Sequence, residues 1–150
     1  METARNLWER IRETYGLREV AVVMADSHSL PMRRGTVGFS LGYWGFNPVK
    51  DYRGVADIFG KPLEVTVSNL ADAIAAAAVL LMGEAGEQTP VVVGTNLVLE
   101  FSDAPELIQG QPAYTFELEE DLFGPLFSGD LWLKGGGGIT REELQELQRT

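Results

Sequence analysis

Six consecutive apolar residues, Val20-Ala21-Val22-Val23-Met24-Ala25, run into Asp26-Ser27-His28. An unbroken apolar run of this length predicts a strand over 19–25 covered on both faces, since a half-exposed strand would alternate. The stop constrains the chain as much as the run does. An acid beside a hydroxyl at a strand end supplies oxygen, the donor that hard cations take. Pro31 ends any ladder, and Arg33, Arg34 and Gly35 follow, two arginines suited to phosphate or carboxylate. His28 is a general-base candidate by residue type only, and reads more simply as a turn histidine without a role.

Composition removes most other chemistries. The 150 residues contain no cysteine and one histidine, which excludes disulfides, zinc–thiolate centres and His-rich metal sites. Oxygen-ligated Mg²⁺, Mn²⁺ or Ca²⁺ remains. A net charge of -10 argues against general nucleic-acid or anionic-membrane binding, which needs a basic surface. The longest apolar run, 73–82, is too short to cross a bilayer, and Glu9, Arg10 and Arg12 break up any leader. The chain is expected to be soluble and cytoplasmic. Its length predicts one domain over 1–134, with a Gly-rich stop and a last helix over 135–150.

Leu7, Trp8, Ile11 and Tyr15 recur at helical spacing, predicting an amphipathic helix over 3–15 with Thr3 as N-cap and Gly16 as stop. A helix leading at once into a strand suggests a chain that begins in mid-fold. Glycines at 35, 38, 42 and 45 among β-formers predict a strand pair or bulged strand packed closely beneath a helix, or against a ligand. Lys50, Asp51, Arg53 and Asp57 form a loop read locally as a salt-bridged turn. Residues 63–67 alternate as a strand.

The strongest helix runs over 70–82. It is alanine-rich, capped by Asn69, and carries Asp72 as its one charge, so it is expected to be buried nearly all round and Asp72 to serve capping. Gly83 ends it. Glu84 follows where exposed carbonyls already carry negative partial charge, so it either faces water or meets a cation. Further on, the pattern predicts a strand over 90–93 continuing into 97–99, a short helix over 103–109 and an edge strand over 114–118. Four acids within 117–121 read as a solvated face. The aromatic-rich stretch 122–132 is expected to pack on the sheet. The glycines of 135–138 lack the Gly-Lys-Ser/Thr ending of a phosphate loop. Thr140 and Glu143 form a capping box for a helix over 141–148.

Several ordered motifs between residues 23 and 93 resemble the coenzyme F420-0:γ-glutamyl ligase family. The strand end Ala25-Asp26-Ser27-His28-Ser29-Leu30-Pro31-Met32-Arg33-Arg34-Gly35 is similar to the family's Ser-Asp-Thr-Phe-Gly-Arg-Pro-Trp-Arg-x-Gly. Asp51-Tyr52-Arg53-Gly54 with Asp57 and Gly60 matches its Asp-Tyr-Arg-Gly-x-x-Asp-x-x-Gly. Ala71-Asp72 matches the start of its Ala-Asp-Glu helix, and Met82-Gly83 the end. The departures are Ser27 for threonine, Ser29 for glycine, Leu30 for arginine and Ala73 for glutamate.

The resemblance implies an α+β fold with a mixed β-sheet, the Ala-rich helix and flanking helices. It implies a GTP-dependent ligase joining L-glutamate to a carboxylate acceptor, a deazaflavin precursor or analogue, with Mg²⁺ or Mn²⁺. By the same resemblance Asp26, Ser27 and Glu84 are metal ligands, and Met82, Gly83, Glu84, Gln88 and Thr89 contact nucleotide. Asp26, Arg33 and Arg53 are then the catalytic residues, and a homodimer is expected. Family members also carry an N-terminal segment with nucleotide- and metal-binding residues that has no counterpart here. That leaves the C-terminal portion of a ligase, one completed by a separate chain, or, as the alternative, a binding or assembly module that kept the fold and lost the complete site.

Overall fold

The computed structural model describes residues 1–105, 107, 108, 111–115, 117, 118, 121, 123 and 124. Expectations for 122, 125–150 and the remaining gaps, including the 134/135 boundary, the glycine run and the last helix, lie outside these residues. One compact unit spans Met1–Tyr114 and a second Thr115–Thr150.

The first unit is built on an antiparallel hairpin, β1 (Val22–Ser29) and β2 (Thr36–Trp44), with helix α1 (Glu2–Tyr15) on one face and α2 (Leu70–Met82) on the other. The residues of β1 alternate between these helices, as pleating requires. Val22 and Met24 join Ala4, Trp8 and Ile11 of α1, whereas Ala21 and Val23 lie with Ala71 and Ile74 of α2. The strand therefore continues past Ala25 through Asp26 and Ser27 to Ser29, where the sequence suggested a stop. The ladder with β2 carries it on, from Ala25↔Ser40 to Ser29↔Thr36.

Helix α1 begins earlier than its sequence suggests, with Met1 rather than Thr3 at the N-cap, because the Met1 carbonyl already accepts from Arg5 N–H at 3.1 Å. Gly16 ends it in the left-handed conformation, φ 65°. Trp8 is the anchor: its ring is buried and its indole N–H donates to the Val20 carbonyl at 2.9 Å. Gly45, at φ 92°, lies so close to the Trp8 indole and the Val20 carbonyl that a side chain there has no room.

The bulged strand expected around the glycines is β2. Its register shifts between Met24↔Gly42 and Ala25↔Ser40, leaving Leu41 as the extra residue. The shift has a purpose in packing. Tyr43 faces α2, and an unbroken period of two would direct Thr36, Gly38 and Ser40 away from it. With one residue inserted, Tyr43, Ser40 and Gly38 meet α2 and Thr36 reaches Glu84 just beyond its end.

Strands β3 (Val49–Asp51) and β4 (Val67–Asn69) form a second antiparallel pair. The excursion between them is a turn-rich flap: Tyr52 N–H donates to Thr66 O and Gly54 N–H to Leu63 O. The strand expected over 63–67 is thus displaced to Val67–Asn69. The N-terminus of α2 is satisfied from two sides. Asn69 Oδ1 accepts from Asp72 N–H at 3.0 Å, and the Pro48 carbonyl accepts from Leu70 and Ala71.

Five expectations are corrected. Helix α2 is covered on one side only: Ala71 and Ala75 are buried, whereas Leu80 is 83% exposed. Residues 90–99 form no ladder among the described residues, and Val93 is 82% exposed, because no described strand lies beside them. Chain return comes later, where Phe101 bridges Phe46, Asn47 N–H donates to Glu100 O and Ser102 N–H to Gly45 O. In place of a helix over 103–109 there is a small hairpin, β5 (Leu107–Ile108) with β6 (Gln111–Pro112), and the described residues of 114–118 are turn or irregular. The α+β class holds, with every described strand pair antiparallel rather than mixed. No helix among the described residues is long and apolar enough to cross a membrane. In the second unit, Asp121 closes a turn by accepting from Phe123 N–H and Gly124 N–H.

Candidate functional site

Helix α2 runs along β2 in the opposite direction, and three contacts peg it there. At its start the Asp72 carboxylate accepts from the Ser40 backbone N–H at 2.8 Å. At its middle it crosses Gly38 so closely that a Cβ there would lie 2.6 Å from the Ala75 carbonyl oxygen. Just past its end, Glu84 accepts from the Ser27 hydroxyl at 2.8 Å and the Thr36 hydroxyl at 3.2 Å. Residues 36, 38 and 40 face one way because strand side chains alternate. They therefore meet successive turns of a helix rising about 1.5 Å per residue.

The last of these contacts forms an oxygen-rich rim. Ser27 comes from β1, Thr36 from the start of β2, and Glu84 from the residue after Gly83, which caps α2 at φ 77°. All three sit beside the C-terminus of α2, whose exposed carbonyls add negative potential. Carboxylate, hydroxyls and a helix C-terminus together suit a cation with a preference for oxygen. Among the described residues there is no group of three or more His, Cys, Asp and Glu able to hold a metal. The donor set is instead a mixture of carboxylate and hydroxyl oxygens.

Asp26 joins this rim only indirectly. Strand alternation places it on the face opposite Ser27, with His28 and Phe39, whose rings stack edge-on at 4.5 Å. Its Oδ1 accepts from the Ser27 N–H at 2.7 Å, on the edge of β1 away from β2. Asp26 thus lies at the open edge of the strand, next to the rim, and no described contact joins it to Glu84.

The remaining sequence candidates separate into two groups. Arg33 and Arg34 are exposed at the tip of the β1–β2 hairpin, where Arg33 N–H donates to Leu30 O and Met32 adopts φ 59°; neither guanidinium pairs with another described residue. Arg53 is different. Its guanidinium holds both carboxylate oxygens of Asp51, the closest contact 2.6 Å, within the flap. That pair keeps Asp51 down at about 2 and raises Arg53. The local reading as a salt-bridged turn is observed for these two residues. Asp57 closes its own turn through Phe59 and Lys61 N–H groups, and Lys50 lies over the Tyr52 ring.

The loop after α2 is wound around Glu87. Its carboxylate accepts from Ala85 N–H at 2.8 Å and crowds Gly83, while the Thr89 hydroxyl donates to Glu87 O and Gln88 adopts φ 55°. Bonds from the Ala85 and Glu87 backbone N–H groups lower the Glu87 carboxyl below its usual range. Met82 is half-buried and Glu84 is the only member of this stretch seen bonded to the rim.

Sequence reasoning does not single out Thr36, and it singles out Asp72 for the helix cap alone. Thr36 follows a turn glycine and looks like any strand residue; only the hairpin register, Ser29↔Thr36 and Ser27↔Gly38, brings it beside Ser27. Asp72 was read as a cap. Its carboxylate in fact bonds Ser40 N–H and Asn69 Nδ2, and Ser40 is held from the other side by Tyr114, whose hydroxyl donates to Ser40 O at 2.9 Å. Burial raises the Tyr114 phenol, the bond to Ser40 opposes this, and the Asp72 charge adds to the rise.

Fold and site together define an α+β domain with a rim of hydroxyl and carboxylate oxygens between a hairpin and a helix C-terminus. Residues 1–96 match the family described as F420-0:Gamma-glutamyl ligase, and the chain belongs to that family. It is 46% identical over 102 residues to the coenzyme F420:L-glutamate ligase of Archaeoglobus fulgidus, covering 67% of this chain and 41% of that protein. The coenzyme F420:L-glutamate ligase of Methanopyrus kandleri is 41% identical over 95 residues, 63% of this chain and 37% of its own length. That of Methanocaldococcus jannaschii is 35% identical over 124 residues, 81% of this chain and 47% of its own. The chain therefore spans less than half the length of these relatives.

Proposed function

We propose that this chain is the part of a GTP- and divalent-metal-dependent γ-glutamyl (amide) ligase that carries a metal-binding rim, and that its acceptor is a deazaflavin carboxylate or an analogue. The observation that carries the reading is the convergence of Ser27 and Thr36 hydroxyls on Glu84. Family membership and the names of the relatives supply the reaction class.

A carboxylate does not react with an amine until an oxygen becomes a leaving group. In the proposed reaction the acceptor carboxylate attacks the γ-phosphorus of GTP, the bridging P–O bond breaks, and GDP departs with its electrons. The glutamate nitrogen then attacks the acyl carbon, the C–O bond to phosphate breaks, and the nitrogen loses a proton as the amide forms. A divalent cation, Mg²⁺ or Mn²⁺, would offset the charge spread over the transferring phosphoryl group. The residues here that would hold it are Glu84, Ser27 and Thr36 at the rim, with Asp26 joining them once its carboxylate turns from the Ser27 N–H around the strand edge. The hydroxyls of Ser27 and Thr36 keep Glu84 on the hairpin side of the loop. Arg33 and Arg34, unpaired among the described residues, can turn toward phosphate or carboxylate oxygens, a role from which Arg53 is held back by Asp51. The Ala85 and Glu87 N–H groups, now filled by a side-chain carboxylate, mark where the loop offers donors to an anionic oxygen. A homodimer is the proposed assembly in which the substrates meet.

Calorimetric titration with GTP tests the reading. Saturable binding that requires Mg²⁺ or Mn²⁺ and is lost in Asp26→Ala and Glu84→Ala supports it. No saturable binding at millimolar nucleotide contradicts it and favours a non-catalytic module.

A further inference from the structure

We propose that Asp72 is a positioning residue: by gripping the β2 bulge at Ser40 it sets the register that brings Ser27, Thr36 and Glu84 together at the far end of α2. The inference rests on the proposed reading of the rim for its functional meaning, though not for its geometry.

Ser40 is the residue next to the inserted Leu41, where the ladder register shifts. A bulge leaves backbone groups without cross-strand partners. The Ser40 amide is buried, and its N–H goes to Asp72 Oδ1 at 2.8 Å in a charge-assisted bond. Its carbonyl and hydroxyl oxygens meet the Tyr114 hydroxyl at 2.9 and 3.2 Å. The other Asp72 oxygen accepts from Asn69 Nδ2 at 2.6 Å, tying the same carboxylate to the helix cap. One side chain thus joins the start of α2 to the point where β2 changes register.

Everything on β2 from Ser40 back to Thr36 depends on that register. If the extra residue moves or is absorbed, Gly38 and Thr36 rotate off the α2 face, because a one-residue slip exchanges the two faces of a strand. Gly38 could not then admit the Ala75 carbonyl and Val79, and Thr36 would leave Glu84. The carboxylate never touches the rim, so its effect there is through the strand. Capping alone does not account for it: the N-cap bond, from the Asp72 backbone N–H to Asn69 Oδ1, survives loss of the carboxylate, which takes away only the brace from Asn69 Nδ2.

The test compares Mn²⁺ binding and amide hydrogen exchange in the wild-type chain, Asp72→Ala, Asp72→Asn and Trp8→Phe, all well below their melting temperatures. Trp8→Phe removes a buried bond on the α1 face and serves as a destabilised control. Residues that orient metal ligands without touching the ion commonly cost roughly tenfold or more in affinity when removed. Asp72→Ala is expected to weaken Mn²⁺ by that amount and to speed exchange along 36–40 and at Ser27. Asp72→Asn keeps an oxygen acceptor for Ser40 N–H but sets an NH₂ against the Asn69 Nδ2 that donates to Asp72 in the wild type, so it is expected to recover part of both. Trp8→Phe is expected to change neither.

If the wild type binds Mn²⁺ and Asp72→Ala binds it equally, the inference is overturned while the rim reading stands. If the wild type binds no Mn²⁺, the rim reading fails. Exchange then decides the geometry: a change reaching Thr36 and Ser27 in Asp72→Ala upholds it, and one confined to Asn69 and Ser40 overturns it.

Discussion

Replacing Gly38 by alanine should separate the helix from the hairpin with a single methyl group. A Cβ at this position would lie 2.6 Å from the Ala75 carbonyl oxygen and 2.7 and 2.8 Å from Val79 Cγ2 and Cβ. Neither neighbour can yield alone. The carbonyl belongs to the helix ladder, and a β-branched valine in a helix has one strongly preferred rotamer. Ordinary contact therefore requires α2 to move off β2 by on the order of 1 Å, and an overpacked site of this kind costs about 1–3 kcal/mol. The gain of alanine over glycine in a strand, about 0.5–1 kcal/mol, offsets part of this. For a chain of this size each kcal/mol lowers the melting temperature by about 2–4 °C, so a fall of several degrees is expected. Glu84 moves with the helix, and its bond to Thr36, 3.2 Å in the wild type, is the first to break. Thermal denaturation and Mn²⁺ titration on one sample read both effects. A Gly38→Ala chain with wild-type melting temperature and wild-type Mn²⁺ affinity would refute the seating of α2 on β2.

Other expectations follow from local chemistry. The Asp51 carboxyl is held at about 2 against an ordinary 3.8, so the stabilisation it brings to the flap is complete above pH 3.8 and is lost as pH falls toward 2; the Arg53 amide, which donates to Asp51, should titrate in NMR with a midpoint near 2, and a midpoint near 3.8 would show the pair is not formed. Asn69→Ala removes the side-chain cap of α2 and should cost about 1 kcal/mol in chemical denaturation; no loss would mean the Pro48 carbonyl suffices. Gly45→Ala combines φ 92° with a collision at Trp8 and Val20, and should yield little folded protein, as read by near-ultraviolet circular dichroism; a native spectrum would contradict the packing of α1.

The extent of helix α2 was legible, though its one-sided burial was not. Asn69, the alanines and Gly83 each carry a local preference, and together they mark its start, body and end as observed. The bulged glycine strand was legible too, since glycines among β-formers mark close approach, as at Gly38 and Gly45, or positive φ, as at Gly35. What lay hidden was pairing. The apolar run stops at Ala25, yet β1 runs on to Ser29 because β2 supplies hydrogen bonds irrespective of side-chain polarity. Conversely, the valines at 91–93 have every strand preference and no described partner. Ser27 and Glu84 were recognised from local chemistry and are brought together. Thr36 and the second role of Asp72 were not, because both depend on a cross-strand register that one residue of bulge resets. Asp26 sits one residue from Ser27 in sequence and on the other face of the strand, a consequence of alternation.

The claim that a divalent cation is held between the hairpin and the end of α2 is tested most directly by Mn²⁺ paramagnetic resonance titration of the wild-type chain against Glu84→Gln and Ser27→Ala. The account predicts bound Mn²⁺ in the wild type, with Glu84→Gln abolishing it and Ser27→Ala weakening it. Equal Mn²⁺ binding by all three chains, or none by the wild type, would contradict it.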